Sequence, residues 1–286
     1  MFDQKTLIDR LVSGMAAGVI DLPRDVVRKL EEARDEETSE AARMQLKAIL
    51  DNVRLAKEGR LPLCQDTGIH VFFIEAGYDF PYLGDVLKAI PLAVERATRE
   101  IPLRPNTVDP FTGKNPGNNL GRRMPAMSVE LAEGDGATIR ILPKGGGSEN
   151  MSALWMLTPT EGFKGMRRLI LEHVQRAGGK PCPPIVLGIG VGGGADIAMK
   201  LAKKALLRHL DVANPDGAVA AMEKEILDDL NALGVGPMGV GGRTTALAVH
   251  IEYTCRHPAT FPTAMVVQCW CDRRAGIEIS KDGEVK

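Results

Sequence analysis

Helical and strand-like segments follow one another along this chain without the regular strand–helix–strand alternation of a parallel α/β sheet. The first sixty residues have helical patterns, and residues 69–77 (IHVFFIEAG) then have the composition of a strand. Gly134-Asp135-Gly136 separates two segments that alternate with a period of two, which predicts a β-hairpin. We therefore expect one α+β domain over residues 1–286, with mixed, mostly antiparallel sheets surrounded by helices and a helical N-terminal region.

The remaining segments complete this prediction. Helical patterns cover residues 83–100, 161–177, 195–209 and 219–233, and strand patterns cover 183–191, 246–253 and 264–270. Residues 104–125 are rich in proline, glycine and asparagine, which predicts a long loop.

Composition argues against several classes of partner. The net charge is −1 and aromatic residues make up 4% of the chain, so we expect no nucleic acid and no anionic membrane surface as a partner. No apolar run reaches the roughly 18–20 residues of a membrane span. The first residues place Asp3, Asp9 and Arg10 ahead of an apolar patch, which is not the order of a signal peptide.

The cysteines indicate a reducing environment. There are five, at positions 64, 182, 255, 269 and 271. An odd number in a long chain without a signal peptide does not suggest a disulfide framework, so we expect a cytoplasmic protein.

A glycine-rich segment suggests one alternative function. Residues 188–193 (GIGVGG) satisfy the G-x-G-x-x-G pattern between a predicted strand and a predicted helix. A dinucleotide site also needs an acidic residue about 20 positions later, at the end of a second strand. Asp211 stands at that distance, but in a helix end and turn. One alternative function is therefore a non-catalytic nucleotide-binding subunit. The other interpretation of this segment is that its glycines merely allow the backbone to approach another part of the chain closely.

Three cysteines have neighbours that a buried hydrophobic residue does not need. Cys64 follows a proline in PLCQDTG, Cys182 lies between prolines in KPCPP, and Cys269 precedes the charged sequence DRR. Cys269 and Cys271 form C-x-C rather than the C-x₂-C pair of zinc sites. Three thiolates from distant loops suit an iron–sulfur cluster, and three ligands leave one iron open to substrate.

Five motifs, in this order, resemble those of the class I (iron–sulfur) fumarate hydratases. They are PLCQDTG, LRPNTVDPFTGKNPGNN, KGGGSENMS, CPPIVLGIGVGGGAD and HPATFPTAMVVQCWCDRRA. The resemblance extends from about Leu7 to Ile279 and is closer to the α subunits of two-subunit fumarate hydratases and L(+)-tartrate dehydratases. It departs from the family at GNNLGRRMPAM, where the family more often continues from GNN almost directly into a strand.

The resemblance implies an oxygen-sensitive [4Fe–4S] hydro-lyase. Its reaction would be the reversible hydration of fumarate to (S)-malate, with dehydration of L(+)-tartrate to oxaloacetate as the alternative. The implied cluster ligands are Cys64, Cys182 and Cys269. We choose Cys269 over Cys271 because the family's third ligand stands four residues before an arginine, which here is Arg273.

The resemblance also implies which residues face the substrate. They are Gln65, Asp66, Arg104, Gly147 and His257. The planar guanidinium of Arg104 suits a carboxylate, and Gly147 has no Cβ to keep its main-chain N–H from the substrate. Asp66 and His257 are the expected acid–base residues.

The same resemblance implies a partner chain. Single-chain members of the family carry a further C-terminal domain with additional cationic contacts, whereas this sequence ends at Lys286. We therefore expect a smaller β subunit that completes the site for a dicarboxylate substrate, in a dimer of heterodimers. Fumarate, L(+)-tartrate and mesaconate stay open as substrates.

Overall fold

The computed structural model describes residues 2–286, and its contacts divide the chain into two compact units. The first unit consists of the residues up to Leu22, Val53–Gly146 and Arg273–Lys286. The second consists of Pro23–Asn52 and Gly147–Asp272. Neither unit is a continuous stretch of chain, and the single domain expected from the sequence stays a prediction.

Helices and strands occur in both units. The helices are α1 (Gln4–Ile20), α2 (Arg24–Glu36), α3 (Glu40–Gly59), α4 (Leu83–Glu100), α5 (Gly146–Glu149), α6 (Gly162–Ala177), α7 (Ala195–Ala205) and α8 (Gly217–Ala232). The strands are β1 (Ile69–Gly77), β2 (Ala126–Ala132), β3 (Ala137–Lys144), β4 (Ala153–Leu157), β5 (Ile185–Gly193), β6 (Ala246–Arg256), β7 (Phe261–Gln268) and β8 (Ala275–Ile279). Within residues 2–286, four of the six strand pairings are antiparallel. The expected α+β class with a helical N-terminal region is confirmed.

The first unit is a four-stranded sheet with two helices on one face. The strand order is β2-β1-β3-β8, and α1 packs against α4, β3 and β8. Leu7, Leu11 and Met15 recur every four residues and form the buried stripe of α1, while Phe72 and Ile74 alternate on the buried face of β1. The four-residue spacing in α1 and the alternation in β1 each place apolar side chains on one face, and these faces form the core of the first unit.

The predicted hairpin around Gly134-Asp135-Gly136 is wrong, although both of its strands form. β1 lies between β2 and β3, parallel to the first and antiparallel to the second. The turn passes over the end of β1, where the N–H of Gly77 donates to the carbonyl of Gly136 at 2.8 Å. A Cβ on Gly77 would lie 2.1 Å from the carbonyl oxygen of Gly134, so this crossing requires glycine.

The second unit is a sheet of order β4-β7-β5-β6 with helices on both faces. Ile185, Leu187 and Ile189 of β5 pack into a core with α6 and α8. On the other face, a Cβ on Gly188 or Gly190 would lie within 2.0 Å of a carbonyl oxygen of α7. The glycines of the G-x-G-x-x-G sequence therefore let the backbone of α7 pack directly on β5.

A helix that spans a membrane has to be both long and strongly apolar. Across residues 2–286, no helix combines the length and the apolar character that crossing a bilayer requires.

Candidate active site

The loop that joins α3 to β1 leaves a thiol and an amide exposed. Leu63 is buried, and its N–H donates to the carbonyl of Val19 at 3.0 Å, which anchors the start of the loop. At the end of the loop Gly68 has a φ of 80°, and a Cβ there would lie 2.8 Å from a backbone nitrogen of β3. Cys64 and Gln65, between these two anchors, are exposed.

Three N–H donors orient the carboxylate of Asp66. Its Oδ1 accepts from the backbone N–H of Gly68 at 2.9 Å and from Nδ2 of Asn106 at 3.3 Å. Its Oδ2 accepts from the backbone N–H of Gly146 at 2.7 Å. The carboxylate therefore has a fixed direction beside the exposed thiol and amide.

Arg104 is fixed to the same loop through its main chain. Its N–H donates to Oγ1 of buried Thr67 at 3.0 Å, and its carbonyl accepts from Nδ2 of Asn119 at 3.1 Å. The side chain of Arg104 is exposed. The first unit thus brings together four of the predicted site residues: Cys64, Gln65, Asp66 and Arg104.

The residues that hold this arrangement together are not among those predicted from the sequence. Thr67, Asn106 and Asn119 join the two loops, whereas the composition of residues 104–125 predicts only that they form a loop. The density of asparagines there was the available signal, because their amides can bond to backbone groups. Arg273, so far only a spacing marker, is buried and donates from Nη1 to the carbonyl of Asp66 at 3.0 Å.

The second unit brings the other two predicted ligands together. Val186, near the start of β5, pairs with Gln268 at the end of β7, so the loops before and after these strands adjoin. The N–H of Trp270 donates to the carbonyl of Cys182 at 3.1 Å. Cys182 has a φ of 55°, uncommon for a residue with a side chain. Cys182 and Cys269 are both half-buried.

The remaining two cysteines have different surroundings. All five cysteines of the chain are thiols, but Cys271 is buried at 1% exposure and Cys255 lies near the end of β6. This supports Cys269 over Cys271 as an accessible ligand. Among residues 2–286, no group of three His, Cys, Asp or Glu side chains is close enough to hold a metal ion.

Gly147 and His257 lie elsewhere in the second unit. Gly147 is exposed, and no atom of residues 2–286 outside its own neighbourhood would lie within 4 Å of a Cβ there. His257 is exposed after β6, and its Nδ1 accepts from the N–H of Ala259 at 3.2 Å. Because β6 is parallel to β5, His257 lies at the end of the sheet opposite Cys182 and Cys269, about 30 Å away at ~3.3 Å per strand residue.

A buried histidine follows the PLCQDTG loop. His70 is 3% exposed, and burial together with the charge of Arg273 lowers its pKa from 6.5 to about 4. Its Nε2 has no hydrogen-bond partner in residues 2–286. Folding therefore favours the neutral imidazole.

This predicts a specific pH dependence of stability. The pKa of His70 is lower in the folded chain than in the unfolded chain, so its contribution is complete above pH 6.5 and is lost as the pH falls toward 4. A difference of this size corresponds to about 3 kcal/mol. Urea unfolding across that range should show this loss in the wild type and much less in His70→Gln. His257→Gln, at an exposed site, is the matched control, and equal pH profiles for all three would contradict the prediction.

Comparison with known proteins gives consistent matches over most of the chain. A family model described as fumarate hydratase (Fumerase) matches residues 9–278. A protein of Methanocaldococcus jannaschii named "Putative L(+)-tartrate dehydratase subunit alpha" is 46% identical over 281 residues, which are 97% of this chain and 99% of that protein. The L(+)-tartrate dehydratase subunit alpha of Escherichia coli K12 is 34% identical over 262 residues, covering 91% of this chain and 86% of the relative.

Proposed function

Because the chain belongs to the fumarate hydratase family and is therefore a hydro-lyase, we propose that it is the α subunit of an iron–sulfur enzyme that reversibly hydrates fumarate to (S)-malate. The observation that carries the proposal is the exposed Cys64-Gln65 pair beside an oriented Asp66 and an exposed Arg104. L(+)-tartrate is the second candidate substrate, because two relatives are named for its dehydration.

We propose that Cys64, Cys182 and Cys269 hold a [4Fe–4S] cluster. The donor chemistry fits, because all three are accessible thiols on loops, and thiolates are the ligands that such clusters prefer. Backbone bonding between the loops of Cys182 and Cys269 supports their acting together. When bound, a cluster with three protein ligands supplies an open iron as a Lewis acid for the substrate hydroxyl. The free thiolates of such a site also require a reducing compartment, so we propose a cytoplasmic location.

The side chains of the first unit would bind and orient the dicarboxylate. The exposed guanidinium of Arg104 can donate two parallel hydrogen bonds to one carboxylate. The amide of Gln65 can donate to a substrate oxygen beside Cys64. Oδ1 of Asp66 accepts from two donors and Oδ2 from one, so Oδ2 keeps a lone pair that can hold a substrate proton at a fixed point.

Gly147 and His257 have different roles in the proposal. The exposed backbone of Gly147 can donate its N–H to a substrate carboxylate. His257 cannot reach the Cys182 and Cys269 loops of its own chain, because β5 separates the two ends of the sheet. Its proposed acid–base role therefore requires the site of a second copy, which the proposed dimer of heterodimers would supply.

A smaller β subunit would complete the site. A dicarboxylate carries two negative charges, and an unpaired buried charge costs several kcal/mol. The exposed guanidinium of Arg104 can offset one of them. The relatives are named as α subunits, which supports a partner that adds cations and excludes water from the substrate.

The substrate is tested with the assembled enzyme. The chain is coexpressed with the candidate β subunit, its cluster is reconstituted without oxygen, and fumarate, (S)-malate, L(+)-tartrate and mesaconate are assayed under the same conditions. We expect the highest kcat/KM with fumarate and (S)-malate. A clear preference for L(+)-tartrate would replace fumarate by the second candidate, and turnover of none of the four would refute the proposal.

Arg104 gives a prediction about substrate affinity. Arg104→Met should raise KM for the dicarboxylate by about 10- to 100-fold, because a charge-assisted hydrogen bond contributes roughly 1.5–3 kcal/mol. Arg104→Lys should recover part of the loss, since it keeps the charge without the planar fork. Arg122→Met, at an exposed arginine of the same long loop, is the control. Equal KM values for Arg104→Met and Arg122→Met would contradict this role.

The nucleotide-binding alternative has a separate test. Anaerobic purification should give a brown protein with broad visible absorbance from the cluster. A colourless protein that copurifies with nucleotide would favour the alternative. The packing of Gly188 and Gly190 against α7 already accounts for the glycine pattern on which that alternative depends.

A further inference from the structure

One edge of the sheet in the first unit has an exposed row of apolar side chains. β2 is the last strand of the order β2-β1-β3-β8, and within residues 2–286 it pairs only with β1. Met127, Val129 and Leu131 are 40%, 38% and 56% exposed. They share one face of β2, because side chains alternate along a strand.

This apolar row lies on the core side of the sheet. Met127 and Val129 are in register with Phe72 and Ile74 of β1, which are completely buried or nearly so. α1 packs against β3 and β8, at the other edge of the same sheet. The β2 end of an otherwise buried apolar face is therefore exposed.

β2 lacks the features that usually protect an edge strand. Edge strands are commonly shortened, bulged, or interrupted by lysine or proline. β2 pairs with seven consecutive residues of β1 without a register shift, and it contains neither lysine nor proline. Its one charged residue, Glu130, lies on the face opposite the apolar row. A regular apolar edge of this kind is a template for pairing with another chain.

The sequence of β2 is complementary to itself when it is reversed. In an antiparallel pair centred on Val129, Met127 of one copy lies opposite Leu131 of the other, and Ser128 lies opposite Glu130. Side chains directly opposite each other in such a pair are roughly 5 Å apart and interact. The apolar rows of the two copies would therefore meet, and no two like charges would face each other.

The residues that flank β2 carry opposite charges. Exposed Arg123 precedes the strand, and exposed Glu133 follows it directly. In the same antiparallel register, Arg123 of one copy is two positions from direct opposition to Glu133 of the other, or about 7 Å along the strand. An arginine side chain can span that distance. Each end of the pair would then join a cation to an acid, which favours a second copy of this chain over an unrelated partner.

We propose that β2 is the contact surface between two copies of this chain, whose β2 strands pair antiparallel about a two-fold axis at Val129 and join their sheets edge to edge. The inference rests on the proposed function for the existence of a second copy, which is part of the proposed dimer of heterodimers. It involves neither the cluster nor the substrate.

The test measures the dissociation constant of the dimer by sedimentation velocity over a dilution series, with the full chain alone and in complex with the β subunit. The wild type should contain two copies of the chain in both forms. Val129→Lys should raise the dissociation constant at least about 30-fold, because it places two positive charges opposite each other at the centre of the contact. Leu55→Lys, at an exposed leucine of α3 in the same unit, is the control and should leave it unchanged.

A charge exchange tests the register of the pair. Arg123→Glu and Glu133→Arg should each raise the dissociation constant about tenfold, because each places like charges together at both ends of the contact. An equimolar mixture of the two variants should dimerise like the wild type, because a chain with two negative ends then meets a chain with two positive ends. Pairing within one chain cannot produce this rescue, since the seven residues of β2 hold the two positions about 23 Å apart at ~3.3 Å per residue.

The outcomes separate this inference from the proposed function. A wild-type chain that is monomeric alone and present once per complex would overturn the inference and the dimer of heterodimers, but not the hydratase activity. A Val129→Lys chain that still dimerises would overturn the inference alone, and if that variant no longer bound the β subunit, the apolar row would belong to that partner instead. If Val129→Lys fails to fold by circular dichroism, the mixture decides: a mixture no more dimeric than its two components would overturn the inference.

Discussion

Cys64→Ser, Cys182→Ser and Cys269→Ser are each expected to lose the cluster and, with it, all measurable hydratase activity. A serine hydroxyl is a poor ligand for the irons of such a cluster, and two remaining protein ligands leave two irons exposed to water. Iron and sulfide content, visible absorbance and turnover of (S)-malate measure the loss. The three variants should resemble one another, because a cluster needs all three ligands at once.

The chain contains its own controls for this experiment. Cys255 lies near the far end of β6, and Cys271 is buried beside Cys269. Cys255→Ser and Cys271→Ser should keep the cluster, although the second can lower thermal stability because it buries a hydroxyl. If Cys271→Ser bleaches the protein and Cys269→Ser does not, the assignment of the third ligand is wrong.

The isolated chain is expected to be coloured but inactive, and a β subunit should restore turnover from background to the full rate. The first unit fixes one exposed guanidinium, Arg104, beside the loop of Cys64. The substrate has two carboxylates, so a second cation and a cover against water have to come from elsewhere. Without the β subunit we therefore expect almost no turnover, whereas Arg104→Met should lose only part of the activity.

This prediction is checked by reconstituting the cluster on the isolated chain and adding the purified partner in steps. (S)-malate dehydration should rise with partner concentration and saturate at one partner per chain. Adding Cys64→Ser in place of the wild type controls for activity carried by the partner alone. Full turnover by the isolated wild-type chain would refute the two-subunit proposal.

The local features of this protein follow from its amino-acid sequence alone. The four-residue spacing of Leu7, Leu11 and Met15 predicts α1, and the alternation of apolar residues around Phe72 predicts β1, because both periods are properties of the backbone. PLCQDTG and the other motifs resemble a family and so identified the hydro-lyase.

The contacts between distant segments, in contrast, are visible only in the folded chain. β1 separates β2 from β3, so the turn at Gly134 does not close a hairpin, and a local turn signal contains no information about a third strand. Thr67 binds the backbone of Arg104, and Arg273 binds that of Asp66 across 207 positions of sequence. The parallel pairing of β5 and β6 sets His257 apart from Cys182 and Cys269. The strand order, the loop contacts and the position of His257 have the same physical reason. Strand pairing and burial depend on the free energy of the whole packed unit, and contacts between distant residues produce no periodic pattern in the sequence.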